Sequence, residues 1–144
     1  NIWQERHYFY SPTGRIIKLM DSADEGMDLE EITVKDLANM LATGLAGLQE
    51  IVEAQVGDKT LVDTLSPAVD SLKESAEAGT DFPEALEKMK AAAKKGMEST
   101  KDMVAKFGRS SRLGERSRGV LDAGSVSCCI ILTAMADGIA ENLD

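Results

Sequence analysis

Apolar residues recur at steps of three and four along most of this chain, and this spacing constrains its fold more than any other feature. Side chains at such steps share one face of an α-helix. From residue 29 onward there are four such stretches, and glycines mark the predicted ends of the first three: Gly57, Gly79 and Gly108. Aromatic residues make up only 4% of the chain, so the core must be aliphatic, as is typical of helix bundles. The sequence therefore predicts an all-α protein, folded as an antiparallel helix bundle.

Polar residues at the start of each stretch supply the predicted helix caps. The first stretch begins at Leu29, with its capping pair inside the first turn. Pro67 falls inside the second stretch and predicts a bend or a restart of the helix. The fourth stretch is apolar almost all round, which predicts a central position in the bundle. The predicted caps are Thr33 with Asp36, Thr60 with Asp63, Asp81 with Glu84 (and Pro83 in the first turn), and Ser125.

Residues 1–28 differ in composition from the rest of the chain. They hold the only Trp, both Tyr and the only His, and they end in an acidic stretch that contains glycine. We expect an atypical arm at 1–28 and a helical domain at 29–144. Because His7 has no Cys or His partner at metal-binding spacing, we predict no zinc site.

Charge and cysteine content narrow the classes of function. The net charge is −9, which disfavours a nucleic-acid binder because such proteins usually present a basic face. No apolar run approaches the roughly 20 residues of a membrane span, so no membrane segment is predicted. Cys128 and Cys129 are adjacent, and we interpret them as small buried hydrophobic residues in a reducing compartment, which indicates the cytoplasm.

Four of the six arginines and four of the glycines lie between residues 107 and 124. If the loops are short, neighbouring helices run antiparallel, and the turns at 57–60 and 122–125 meet at one end of the bundle. Helix N-termini carry free N–H groups that bind anions, and arginine adds bidentate phosphate contacts. The pattern therefore predicts a phosphate or nucleotide site. The alternative is that the aspartates only cap helices and the arginines pair with the acidic surface.

Two motifs carry a resemblance to a known family. GDKTLVD at 57–63, followed by GRSSRLGERSRGVLDAGS at 108–125, resembles the ADP-binding L subunit of phosphotransferase-system-dependent dihydroxyacetone kinases. The resemblance covers residues 36–144, and LGERS is its most specific part. It implies a helical bundle or barrel with ADP at one end, of which this chain holds only part. In that family, a phosphohistidine subunit rephosphorylates the bound ADP, and the phosphoryl group then passes to dihydroxyacetone on a third subunit.

The resemblance also implies roles for individual residues. Leu61 matches the apolar position that lines the adenine pocket, and Arg109 matches an arginine that contacts the nucleotide. Asp122, Ala123 and Gly124 match a D-P-G turn at the nucleotide. No residue of this chain is assigned a catalytic role. The residues that we expect to shape the site are Gly57, Asp58, Thr60 and Asp63.

The sequence departs from the family pattern in several places. Arg112 stands where the family has Tyr, and Ala123 stands where it has Pro. The family's magnesium loop, G-D-x-D-H-G, and its phosphate loop, G-G-A-S-G, do not occur in these 144 residues. We therefore expect ADP or ATP as the nucleotide, with the family's magnesium ligands missing from this chain, and no catalysis by the chain alone.

The departures leave other functions open. An incomplete bundle exposes an apolar face, which predicts a homo-oligomer or pairing with the rest of the kinase. The expected partners are the dihydroxyacetone-binding subunit and the phosphohistidine-carrying subunit. The alternative is a non-catalytic helical binding module that keeps only the docking surface, or a helical fragment with a vestigial site.

Overall fold

Four α-helices and two 3-10 segments form the part of the chain that the structure describes. The structure, a computed structural model, describes residues 32–143. Over this range the predicted all-α class is confirmed, since no residue between 32 and 143 lies in a strand. The predicted arm at 1–28 and the predicted start at Leu29 lie outside the described residues. The helices are α1 (Val34–Ile51), α2 (Val62–Ala78), α3 (Phe82–Ser99) and α4 (Ala123–Glu141), and the 3-10 segments are Thr100–Asp102 and Arg109–Ser117.

Helix α2 is the central element of the described bundle. It contacts α1, α3 and α4. Val69 and Leu72 of α2 are buried in one apolar cluster with Leu86 and Met89 of α3. These four side chains are at most 1% exposed, so the α2–α3 interface is fully buried here and stabilises this part of the chain.

Helix α4 lies at the edge of this bundle, so the predicted central position is wrong. Leu132 and Ala136 pack into the core, but Ile130 and Ile131 are 64% and 60% exposed. A helix that is apolar on all sides leaves apolar surface uncovered when it packs mainly on two neighbours. The prediction of no apolar stretch of membrane-spanning length is also wrong, because α4 has sufficient length and hydropathy. Its buried side nonetheless packs on α2 and α3.

The predicted caps of α1 and α3 are confirmed. The Thr33 side chain accepts a hydrogen bond from Asp36 N (3.2 Å), and Thr33 N donates to the Asp36 carboxylate (2.9 Å). Thr33 is therefore the N-cap itself, and α1 begins at Val34. Asp81 caps α3 by accepting from Glu84 N at 3.3 Å.

The predicted cap of α4 is wrong. Asp122 is the N-cap, and its carboxylate accepts from Ser125 N at 2.8 Å. Ser125 lies inside the first turn and is fully buried. Because Asp122 accepts the hydrogen bond from Ser125 N, the Ser125 hydroxyl remains free for a contact elsewhere in the bundle.

Two helices end earlier than the glycine positions predict. Helix α1 ends at Ile51 rather than at Gly57, and α3 ends at Ser99 rather than near Gly108. The chain leaves the helical conformation because the segments that follow bond to each other, as where Lys106 N donates to Asp58 O at 3.2 Å. Phe107 lies beyond the end of α3 and is exposed.

Helix α2 continues through Pro67 without a restart. Proline has no N–H, so the carbonyl of Asp63, four residues earlier, receives no bond from it. That carbonyl oxygen faces α3, where a Cβ at Gly96 would lie only 2.1 Å away. Gly96 thus allows the backbones of α2 and α3 to approach closely.

Candidate functional site

The starts of α2 and α4 lie side by side at one end of the bundle, as the sequence predicted. The Ser125 hydroxyl donates to Thr60 O at 2.5 Å, and the Thr64 hydroxyl donates to Ser125 O at 3.2 Å. Thr64 and Ser125 are both fully buried. These reciprocal bonds fix the first turn of α4 against the first turn of α2.

The turn before α2, residues 57–60, is organised by one buried carboxylate. Asp63 is 1% exposed, and its two oxygens accept from Gly57 N (2.6 Å) and Thr60 N (2.9 Å). The predicted N-cap at Thr60 is wrong, because Leu61 holds the capping position and α2 begins at Val62. Of the predicted Thr60–Asp63 exchange, only the bond from Thr60 N to the Asp63 carboxylate is present. The Thr60 side chain accepts from Val62 N at 3.2 Å.

Asp58 links this turn to the chain that follows α3. Its carboxylate accepts from Gln55 N (2.9 Å) and pairs with the Lys106 ammonium (3.0 Å). The Gln55 N–H first, and Lys106 second, hold the pKa of Asp58 below its ordinary value. A lowered pKa means that Asp58 stabilises the fold above the unfolded carboxyl pKa and loses that contribution as the pH falls through the folded pKa.

Lys59 is a site residue that the sequence reasoning missed. Its backbone is left-handed (φ 63°) and the residue is 3% exposed. Its ammonium donates to Ser117 O (2.5 Å), Val120 O (2.6 Å) and Met103 O (3.3 Å). The sequence did offer a signal, because Lys59 lies in the GDKT motif between Asp58 and Thr60, which we expected to shape the site.

The arginine segment, residues 108–120, is folded by its own serine and glycines. Gly108 (φ 74°) and Gly114 (φ 56°) take left-handed conformations, and Gly114 kinks the 3-10 segment. Ser117 donates to Gly114 O (2.6 Å) and accepts from Ala105 N (2.9 Å). The segment is therefore an ordered wall rather than a plain linker.

The four arginines of this segment differ in their partners. Arg118 bonds Glu115 at 3.0 Å and Asp102 O at 2.5 Å. Arg109, Arg112 and Arg116 are exposed and form no ion pair or side-chain hydrogen bond with residues 32–143. Of the four arginines, only Arg118 pairs with an acidic side chain of the described residues.

The start of α4 faces the start of α2 across a narrow gap. A Cβ placed on Gly124 would lie 3.1 Å from the Asp122 carboxylate and 3.7 Å from Leu61 Cβ. Asp122 N in turn donates to the Thr100 hydroxyl at 3.0 Å. Leu61 thus lies close to the turn formed by Asp122, Ala123 and Gly124. Arg109 forms no hydrogen bond or ion pair with these residues.

The remaining reactive groups do not form a second centre in the described range. Burial raises the pKa of the Cys128 thiol to about 11, with a further contribution from Cys129. Cys128 is therefore protonated at neutral pH, which makes it a poor nucleophile. Across residues 32–143, no three His, Cys, Asp or Glu side chains are grouped to hold a metal ion.

The described residues thus form a helical domain in which the starts of α2 and α4 meet at one end, with three arginines of the following segment unpaired among residues 32–143. Residues 16–137 match the DAK2 domain, and the chain belongs to this family. The match begins inside the stretch 1–28, whose boundary as a separate arm stays a prediction.

The relatives are kinases and kinase subunits. The chain is 36% identical over 107 residues to the ADP-binding subunit of PEP-dependent dihydroxyacetone kinase from Escherichia coli, which covers 74% of the chain and 51% of that protein. It is 33% identical over 111 residues to the ADP-binding subunit of a PEP-dependent dihydroxyacetone kinase from Listeria innocua, covering 77% of the chain and 51% of that protein. An L-erythrulose kinase from Pectobacterium atrosepticum is 38% identical over 84 residues, which is 58% of the chain and 14% of that protein. The chain thus spans about half the length of the ADP-binding subunits that it matches.

Proposed function

We propose that this chain is part of an ADP-binding phosphoryl-transfer subunit of a phosphotransferase-system-dependent dihydroxyacetone kinase. The observation that carries the proposal is the juxtaposition of Leu61 with the turn at Asp122–Gly124. Those are the positions that the resemblance assigns to the adenine pocket and to the nucleotide turn. Relatives named as ADP-binding subunits support the same nucleotide.

The proposed site offers contacts that suit a nucleoside diphosphate. At Gly124 the start of α4 comes close to Leu61, because a Cβ placed there would lie 3.7 Å from Leu61 Cβ. Leu61 is half-buried and supplies an apolar edge for a base. Arg109 has no carboxylate partner among the described residues, so its guanidinium is available for a bidentate phosphate contact. The aspartates at 58, 63 and 122 hold backbone amides and thereby shape the walls.

Residues 32–143 contain no group of three His, Cys, Asp or Glu side chains that could hold a metal ion, so we assign no magnesium ligand among them. We propose that these residues bind the nucleotide and do not carry out the chemistry. Phosphoryl transfer depends on positioned charge around the transferred group. We propose that the chain alone does not catalyse transfer.

The proposed partners follow from the same assignment. They are the dihydroxyacetone-binding subunit, which receives the phosphoryl group, and a phosphohistidine-carrying subunit, which restores the nucleotide. We place the assembly in the cytoplasm, a reducing compartment that suits the free thiols of Cys128 and Cys129.

Calorimetric titration of ADP into the chain, with and without magnesium, tests the proposal. We expect binding by the wild type, and about tenfold weaker binding by Arg109→Ala, which is the loss expected from one charge-assisted phosphate contact. Arg112→Ala is the matched control, because it removes the same charge from the same segment at a position not assigned to the nucleotide. Failure of the wild type to bind ADP, or equal losses in both variants, contradicts the proposed site.

We propose further that a second copy of the chain covers the exposed face of α4. Ile130 and Ile131 are exposed there, and the two acidic residues of α4, Asp137 and Glu141, lie near its C-terminal end. Two such faces can meet through these isoleucines, with Asp137 and its partner Lys90 left at the polar rim of the interface.

Light scattering at micromolar concentration is expected to give the mass of a dimer. Replacing Ile130 and Ile131 with glutamate should give the mass of a monomer, because like charges would then face each other. Val120→Glu, at an exposed apolar residue outside α4, is the control and should leave the mass unchanged. A compact monomer in the wild type contradicts this assembly.

A further inference from the structure

Lys59 is the one residue of the turn at 57–60 that reaches the arginine segment with its side chain. It lies 58 and 61 residues from Ser117 and Val120 in sequence, yet its ammonium bonds both carbonyls. A third bond goes to Met103, in the extended stretch before that segment. One side chain thus bridges the start of α2 and both ends of the loop that leads to α4.

All three donors of the ammonium are in use. A lysine ammonium carries three N–H donors and no acceptor. With three backbone carbonyls bound, Lys59 has none left for a phosphate. This separates it from the lysines of phosphate-binding loops, which reach the ligand directly.

Burying the charged side chain of Lys59 is energetically unfavourable, so packing alone does not explain why a lysine lies here. The residue is 3% exposed, and no carboxylate among residues 32–143 pairs with it. A buried charge is stabilised only when its hydrogen bonds are satisfied, and here carbonyl dipoles supply all of them. Its left-handed backbone (φ 63°) is a conformation that glycine adopts more easily than lysine.

We propose that Lys59 is a positioning residue of the nucleotide site. Its ammonium fixes the arginine segment, residues 108–120, against the turn at 57–60, and thereby holds Arg109 in place relative to Leu61. The nucleotide part of this inference rests on the proposed function. The anchoring part rests only on the contacts above.

Substitutions at position 59 separate anchoring from direct phosphate binding. Lys59→Met keeps the length of the side chain and removes its charge. Hydrogen exchange is expected to become at least about tenfold faster at Ala105 N and Gly119 N, which bond Ser117 and Lys101 across this loop. Amides in the middle of α2 and α3 should keep their protection. ADP affinity should fall by about tenfold, the size of one lost phosphate contact from Arg109.

Chemical rescue adds a readout that loss of folding cannot mimic. Lys59→Gly keeps the left-handed backbone and leaves a channel in place of the side chain. Butylammonium added to this variant should restore both the slow exchange and the ADP affinity, and it should change neither in the wild type. Lys101→Met, a nearby exposed lysine without a side-chain partner among the described residues, is the control and should behave as wild type.

The outcomes distinguish the possible roles. Unchanged exchange in Lys59→Met overturns the proposal, and reduced ADP affinity without faster exchange would make Lys59 a phosphate ligand instead. If the wild type does not bind ADP but exchange accelerates in Lys59→Met, the anchoring stands and its nucleotide part fails with the proposed function. Should both variants unfold, the ammonium resonance of Lys59 in the wild-type chain decides: slow exchange with water supports three carbonyl bonds, and fast exchange overturns them.

Discussion

Replacing Gly96 with alanine is expected to lower the free energy of unfolding by about 3 kcal/mol, the upper part of the range for overpacking a well-packed interior. The added Cβ would lie 2.1 Å from the carbonyl oxygen of Asp63 and 3.1 Å from Cγ of Pro67. Neither atom belongs to a flexible side chain, so α2 and α3 must separate to admit the methyl group. That separation opens the interface of Leu72 with Met89, where both side chains are fully buried.

Urea unfolding followed by circular dichroism measures this effect, and the chain contains its own control. Gly138 lies in the interior of α4, and no atom lies within 4 Å of a Cβ placed there. Gly138→Ala should therefore raise the free energy of unfolding by up to about 1 kcal/mol, which is the difference in helix propensity between the two residues. Equal stability of Gly96→Ala and wild type would contradict the close approach of α2 to α3.

The effect at Gly96 shows where sequence reasoning stops for this fold. The spacing of apolar residues was sufficient to predict helices, and the caps at Thr33 and Asp81 followed from local chemistry. Gly96, by contrast, looks like an ordinary glycine inside a helical pattern. Its role depends on the carbonyl of Asp63, 33 residues earlier in the chain, which receives no bond from Pro67. Contacts between helices of this kind have no local signal in the sequence.

The candidate site, like the fold, was predictable only in part. Antiparallel packing of the helices predicted that the turns at 57–60 and 122–125 meet at one end of the bundle, and the bond from the Ser125 hydroxyl to Thr60 O confirms this. Lys59 was missed because helical periodicity says nothing about a residue whose side chain bonds carbonyls some 60 residues away. The central position predicted for α4 failed for another reason. An apolar helix indicates that its surface is covered, but it does not say that the cover lies within residues 32–143.

Replacing Asp63 with alanine is the second large effect, and it should change both stability and the site. The Asp63 carboxylate is buried and holds Gly57 N and Thr60 N at 2.6 and 2.9 Å. Hydrogen bonds to a charged group contribute about 1.5–3 kcal/mol each, and removing the acceptor leaves two partly buried amides without a partner. We expect a loss of about 3 kcal/mol or more in the free energy of unfolding. ADP binding should weaken as well, since the turn carries Leu61.

Two further variants make this prediction specific. Asp63→Asn keeps the shape of the side chain and one carbonyl acceptor, so its loss should be about half that of the alanine variant. Asp70→Ala, at an exposed position of the same helix, should change the free energy of unfolding by no more than about 0.5 kcal/mol. If Asp63→Ala were as stable as Asp70→Ala, the carboxylate would not be what holds the turn. The assignment of residues 57–63 as one preformed wall of a nucleotide site would then lose its structural basis.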